Sequence, residues 1–322
     1  MTKYPEYCVA IRTLGTAGDA YQRELDALAK QSVQPKRILV YIAEGYALPK
    51  ETIGRETYIR CPKGMMTQRS LPFDEVDCDW ILFLDDDIYL PEDGVKTLFD
   101  ELIANQGDCI APDIFEPAKA SLYQKTTYAT LFQTLPHTRS DWAFIVRKDG
   151  GNSYNPHPKR VLLTQSAPGA CCLCRKSAYK AVNMAAEQWI DSFGFAYGDD
   201  LLWYYKLYRK GFRVFIHFES GIQHINAMTS HKENAKQQNQ VMRTLGFVNW
   251  YRVCYSAQTT RLSKLWCATL YTLRTTVAML SYLPFALLKR KLFYFTNMVL
   301  STPRGLKYVR SAEYKSYPSF YD

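Results

Sequence analysis

The chain has 322 residues, 47% of them apolar, enough to bury one large core, or one core plus an appendage of under about a hundred residues, so disorder is not the default state. The formal charge is +9, but it is unevenly placed: from residue 245 onward there are 11 basic and 2 acidic residues, while the first 244 residues carry 29 of each sign. A nucleic-acid reader carries its basic footprint on the folded domain that does the reading; here the domain-sized part is neutral, which argues against a nucleic-acid partner.

In chain order, residues 8–14 (CVAIRTL) read as a short buried strand, followed by Gly15 and Gly18 in a turn and a helical pattern from Ala20 to about Gln31 with Leu25 and Leu28 inward. Strand-like sequence this early leaves no signal peptide expected ahead of it. RILVYIA (37–43) is a second buried strand, closed by Glu44-Gly45, and Thr57 to Arg60 a third. After a polar stretch containing Thr67, Gln68 and Arg69, the apolar run Trp80 to Leu84 stops abruptly at Asp85-Asp86-Asp87. Leu90-Pro91-Glu92-Asp93 opens a helix with Val95, Leu98, Phe99, Leu102 and Ile103 expected on its inner face. Residues 109–111 form a further strand, and 113–164 is irregular, proline-bearing and expected to shape an acceptor site. Regularity returns with strand 169–175, helix 177–186, a helix from Asp200 to Lys210 and strand 212–218. Strands alternating with helices predict an α/β fold with a mostly parallel central sheet, whose ligands bind at the carboxyl ends of the strands.

Three consecutive aspartates at a strand end repel one another, and a divalent cation removes that conflict; all-oxygen ligands suit Mg²⁺ or Mn²⁺. The bland alternative is a solvated acidic turn. Asp199-Asp200 opens a helix, where one acid suffices for capping and two suggest more, such as a general base. His224, just beyond the last strand, is a candidate metal ligand, with His217 the weaker one. The nine cysteines have no repeated spacing of the disulfide or zinc kind; Cys171, Cys172 and Cys174 read as buried strand residues.

Together, RILVYIAEG, ILFLDDDIYLPEDGVKTL and GFAYGDDLLWYYKLYRKGFRVF resemble the family 2 glycosyltransferases of the GT-A fold, over roughly residues 7–226. The resemblance implies an inverting, metal-dependent transfer of one sugar from a nucleotide-diphosphate sugar, a UDP-sugar favoured, to a hydroxyl of a glycan or lipid-linked acceptor. It makes Asp85 a nucleotide contact, Asp87 and His224 ligands of Mn²⁺ or Mg²⁺, and Asp200 the base, with Asp199 its alternative. Arg12, Thr13, Glu44, Arg69 and Asp86 fall near the nucleotide sugar. The acid pair departs from the family's usual Glu-Asp. The Gln-X-X-Arg-Trp segment of processive synthases is not seen, so single-sugar addition is expected.

Residues 1–245 are therefore expected to form the catalytic domain and 246–322 a basic, aromatic-rich helical tail. From Leu262 a stripe of Leu262, Trp266, Leu270, Leu273, Val277 and Leu280 recurs at helical spacing, with Lys289-Arg290-Lys291 beyond it. Arg274 near the centre argues against a membrane span and favours attachment to the inner face of the cell membrane from the cytoplasm. A nucleotidyltransferase or phosphohydrolase is the rival enzyme reading and would need a phosphate-gripping glycine loop or a second metal cluster. A sugar- or lipid-binding scaffold without catalysis is the other rival.

Overall fold

The computed structural model describes residues 4–114, 135, 137–155, 159–225, 234–288 and 290–322. The chain divides into two compact units: the first takes Met1–Ala118, Pro158–Ala185 and Trp203–His231, and the second Lys119–His157, Ala186–Leu202 and Lys232–Asp322. The boundary expected after residue 245 falls inside a helix, Ala235–Trp250.

The strands of the first unit are β1 (Tyr7–Thr13), β2 (Arg37–Ala43), β3 (Glu56–Cys61), β4 (Trp80–Asp85), β5 (Ile88–Tyr89) and β6 (Cys109–Pro112), then β9 (Val161–Thr164), β10 (Cys171–Arg175), β11 (Val214–His217) and β12 (Gln223–His224). Strands β7 (Trp142–Val146) and β8 (Asn152–Tyr154) belong to the second unit. The central sheet of the first unit runs β3-β2-β1-β4-β10-β6-β11-β9. Its first four strands are mutually parallel, β10 is antiparallel to both neighbours, and β11 is again parallel to β6. The expected α/β fold with a mostly parallel central sheet and a helical C-terminal region is thus what the chain adopts.

Both faces of this sheet are covered, which is why its central strands read as unbroken apolar runs rather than alternating ones. On one face lie α1 (Asp19–Ala29) and α3 (Gly94–Ala104), whose Tyr21, Leu25 and Leu28, and Val95, Leu98, Phe99 and Leu102, share a core with Val9, Ile11, Val40, Leu82 and Leu84. Each such side chain, fully buried, contributes about 1.5–3 kcal/mol. Ile103, expected on the same face, is 53% exposed. It follows Leu102 by one residue, and so sits about 100° further round the helix. The opposite face carries an aromatic layer: Phe73 meets Tyr41, Phe83 and Tyr179 edge-on, and Trp203 stands perpendicular to Phe83. Tyr179 comes from α4 (Lys176–Lys180) and Trp203 from α5 (Asp199–Arg209).

In the second unit, α6 (Ala235–Trp250) runs through a π-helical turn at Tyr251–Tyr255, before α7 (Arg261–Leu288), α8 (Leu292–Val309) and α9 (Ala312–Ser316). Trp250 stacks on Tyr271 at 4.0 Å, and Gly305 lies so close to Phe247 that a Cβ there would meet its ring at 2.2 Å. Only glycine lets α8 approach α6 this closely. Arg252 and Glu187 form a buried ion pair (Nη2–Oε1 2.9 Å), with further Arg252 bonds to the carbonyls of Ala186 and Pro318. These extra bonds meet the donors that a buried guanidinium would otherwise leave unsatisfied.

Candidate active site

The site of the first unit is built at the carboxyl edge of β1 and β4. In the parallel pairing of these strands Arg12 stands opposite Asp85. Its Nη2 bonds Asp85 Oδ1 at 2.9 Å and the Gly169 carbonyl at 3.2 Å. Arg69, in the last turn of the short helix α2 (Met65–Arg69), reaches Asp85 Oδ2 at 3.4 Å. Two guanidiniums therefore hold one carboxylate, with Arg12 almost wholly buried and Asp85 about one-third exposed toward solvent.

Asp86 is buried and accepts a short hydrogen bond from Thr13 Oγ1, which itself accepts the Gly15 amide at 2.7 Å. Burial pushes the Asp86 carboxyl up to about 6; the Thr13 bond opposes this, and the neighbouring charges of Asp87 and Asp85 add to it. Asp87 is positioned by a two-stranded ribbon, in which β5 pairs antiparallel with β12 so that His224 faces Ile88, and the Ile225 amide bonds the Asp87 carbonyl at 2.8 Å. This ribbon brings His224 Nε2 to 3.1 Å from Asp87 Oδ1. The hydrogen bond to Asp87 raises the His224 pKa against the opposing effect of burial.

Beneath the aspartates lies Glu24 of α1, wholly buried, with Oε2 accepting the Ile88 amide at 2.7 Å. Burial drives its pKa well up, and the charges of Asp86, Asp87 and Asp85 push the same way. Glu24 was not among the residues singled out from sequence. Its signal was an acid between Tyr21 and Leu28, on the stripe that faces the core. Gln68 is a further buried polar neighbour, donating to the carbonyls of Thr13 and Tyr41 at 3.4 and 3.3 Å.

Seven of the expected residues thus come together: Arg12, Thr13, Arg69, Asp85, Asp86, Asp87 and His224. Glu44 stands exposed just past the end of β2, at the same carboxyl edge, its amide bonded to the Cys61 carbonyl. His217 is wholly buried in β11; its Nδ1 accepts the Glu219 amide at 3.0 Å, and burial and Arg160 hold its pKa down at about 4. Cys171, Cys172 and Cys174 are wholly buried free thiols of β10.

Asp199 and Asp200 belong to the second unit, where both lie in the first turn of α5. An acid there is favoured by the unpaired amides and the helix dipole. The preceding Gly198 has φ +79°, and a Cβ on it would lie 2.5 Å from Asn249 Nδ2, the group that bonds the Tyr197 carbonyl at 2.9 Å. The start of the helix is therefore braced from α6.

The donor set at Asp87 and His224 fits a divalent cation. A carboxylate oxygen and an imidazole nitrogen already face each other, and Mg²⁺ or Mn²⁺ fills its remaining positions with phosphate oxygens and water. Burial is the main cause of the raised pKa values of Asp86 and Glu24, and the charges of the neighbouring aspartates add to it.

No family model matches the chain, and no curated protein matches it. Among solved structures it is similar to the crystal structure of GalNAc-T7 with UDP, GalNAc and Mn²⁺, at a TM-score of 0.47 and 10% identity, over 77% of this chain and 51% of that one. It is also similar to S. aureus TarS 1-349, at a TM-score of 0.44 and 11% identity, over 92% of this chain and 91% of that one. The chain thus spans about half the length of the first of these two.

Proposed function

We propose that the protein is a GT-A type, inverting glycosyltransferase that moves one sugar from a nucleotide-diphosphate donor, a UDP-sugar favoured, to an acceptor hydroxyl. The observation that carries this reading is the division of labour along one strand end: Asp85 between Arg12 and Arg69, Asp86 on Thr13, Asp87 against His224. Asp85, Thr13 and Glu44 bind and orient the nucleotide end, and Arg69 lies where it meets donor phosphate. Asp87 and His224 would hold Mn²⁺ or Mg²⁺, which when bound offsets charge on the leaving diphosphate. Asp200 takes the proton of the acceptor hydroxyl as that oxygen attacks the anomeric carbon, with Asp199 beside it in the same helical turn.

The acceptor we favour is a lipid-linked or cell-surface glycan precursor met at the inner face of the membrane. The outer face of α7 supports this: Leu262, Leu265, Trp266, Leu273, Leu280 and Leu287 are all exposed, and between Leu265 and Leu288 the sequence has one charged residue, Arg274. Arg274 faces the opposite way, against Gly151. Among the described residues no helix is long and apolar enough to cross a membrane, so the reading is of a helix lying in the interface.

The test is a panel of nucleotide sugars scored by thermal unfolding with and without Mn²⁺, followed by transfer assays. One donor should raise the melting temperature only with metal, and Asp87→Ala should abolish that rise. Asp200→Asn should keep donor binding and lose transfer. A panel in which no nucleotide sugar stabilises the protein would sink the proposal.

A further inference from the structure

The second unit carries a cluster of arginines that the sugar-transfer reading does not use. Arg274, in the middle of α7, lies against the turn that joins β7 to β8. That turn is closed by Arg147 N–H to the Gly151 carbonyl at 2.9 Å and Gly150 N–H to the Arg147 carbonyl at 3.0 Å. The point where a Cβ of Gly151 would sit is 2.6 Å from Arg274 Nε, 3.2 Å from its Cδ and 3.0 Å from Asp149 Oδ1. Glycine at 151 is what lets the guanidinium lie on the backbone, with the buried Asp149 beside it.

Arg274 Nε is buried and has no hydrogen-bond partner. Among the described residues no hydrogen bond or ion pair reaches any atom of this guanidinium. The nearby carboxylate is already engaged: Asp149 Oδ1 accepts the Gly151 amide at 2.8 Å, and Oδ2 holds Arg147. Arg243, exposed on α6, adds a third positive charge, and both Arg147 and Arg243 act through space on Arg274. Burial, with these two neighbours, lowers the Arg274 pKa while Asp149 and Tyr271 oppose the shift. Arg274 thus has two further arginines near it and an acid whose two oxygens are already engaged. A guanidinium presents a planar fork of donors that matches phosphate oxygens, and leaving it buried and unpaired is costly.

We propose that Arg274, with Arg147 and Arg243, forms a phosphate-binding site on the second unit, which takes a phosphomonoester or diphosphate group. The group comes either from a free phosphate compound or from a lipid headgroup that reaches the β7–β8 side of α7, where Arg274 lies. The inference stands on the second unit alone and does not depend on sugar transfer.

The test uses the full chain in EDTA, so that phosphate held through a divalent cation at Asp87 and His224 does not contribute. Inorganic pyrophosphate is titrated by calorimetry. In parallel, vesicles of phosphatidylcholine carrying phosphatidic acid are compared with vesicles carrying phosphatidylglycerol, a phosphodiester. Arg274→Met and, separately, the exposed Arg243→Ala should each weaken binding by about ten- to a hundredfold, the range expected for a lost hydrogen bond to a charged group. Loss of pyrophosphate binding identifies a free source, and loss of a preference for phosphatidic acid a lipid one; either supports the site. Arg274→Met should also raise the melting temperature in phosphate-free buffer, because it removes an unpaired buried charge. A lowered melting temperature would mean that Asp149 already satisfies Arg274, and would overturn the proposal. So would phosphate binding that both variants retain and Arg69→Ala abolishes, since that places the anion among the aspartates.

Discussion

Asp87 Oδ1 and His224 Nε2 lie 3.1 Å apart, so a cation held by both would have to displace any proton on that nitrogen. The His224 pKa is raised by its bond to Asp87, so below that raised pKa a cation competes with the imidazolium proton for the same nitrogen. Mn²⁺ affinity, measured by calorimetry without donor, should therefore fall as pH drops, and His224→Gln should flatten the profile; an unchanged slope would remove His224 from the ligand set. His217 supplies a second pH effect, on stability. Its pKa is about 4 in the fold against 6.5 unfolded, so the unfolded chain binds the extra proton between these values and stability is lost as pH falls from about 6.5 toward 4, by at most about 3 kcal/mol. Asp86 acts in the opposite sense: its carboxyl, raised to about 6, favours the metal-free fold as pH falls from about 6 to 3.8. As pH falls from about 7 to about 4, denaturant midpoints should accordingly drop more steeply for Asp86→Asn than for wild type, and rise for His217→Gln. At this scale the aspartates of the candidate site were legible because a charge run after five apolar residues is anomalous in itself. Glu24 was not singled out, since one acid on an otherwise ordinary helix stripe is anomalous only once that face is known to be wholly buried.

Among the elements, β4 was the most legible, because a strand covered on both faces must read as an uninterrupted apolar run. Its neighbour β10 was legible as a strand but not in direction. Periodicity identifies extended segments and says nothing of which strand they pair with, so the antiparallel placement between β4 and β6 follows only from long-range pairing. The pairing of β5 with β12 is likewise two residues from each partner, too short for any periodic signal. Yet it is what sets His224 against Asp87. The first turn of α5 makes its own prediction. Gly198 combines a left-handed φ with the close approach of Asn249, so Gly198→Ala should cost about 1–2 kcal/mol in thermal or urea unfolding. Transfer should fall further than stability if the turn carries the base. Wild-type unfolding in the variant would show that Asn249 moves aside freely.

Over the whole molecule, the division of charge by position was readable from counting alone, and the concentration of basic residues after 245 coincides with the helices α7 to α9. The stripe through Leu262, Trp266, Leu273 and Leu280, expected from the sequence to meet a membrane surface, is exposed. Leu273→Glu with Leu280→Glu should abolish flotation with anionic vesicles and leave the melting temperature within a degree or two, because neither side chain is packed; a large loss of stability would show that the stripe is core. The division into units has a different consequence, during synthesis. Each unit is assembled from three separate stretches of chain, so neither is complete when its first stretch leaves the ribosome. Glu187 emerges 65 residues before Arg252, the cation that neutralises it in the finished core. Until then its stretch has no reason to desolvate that carboxylate. The second unit should therefore settle only after Arg252 has emerged, and truncations ahead of Arg252 should leave nascent chains sensitive to protease at 186–202.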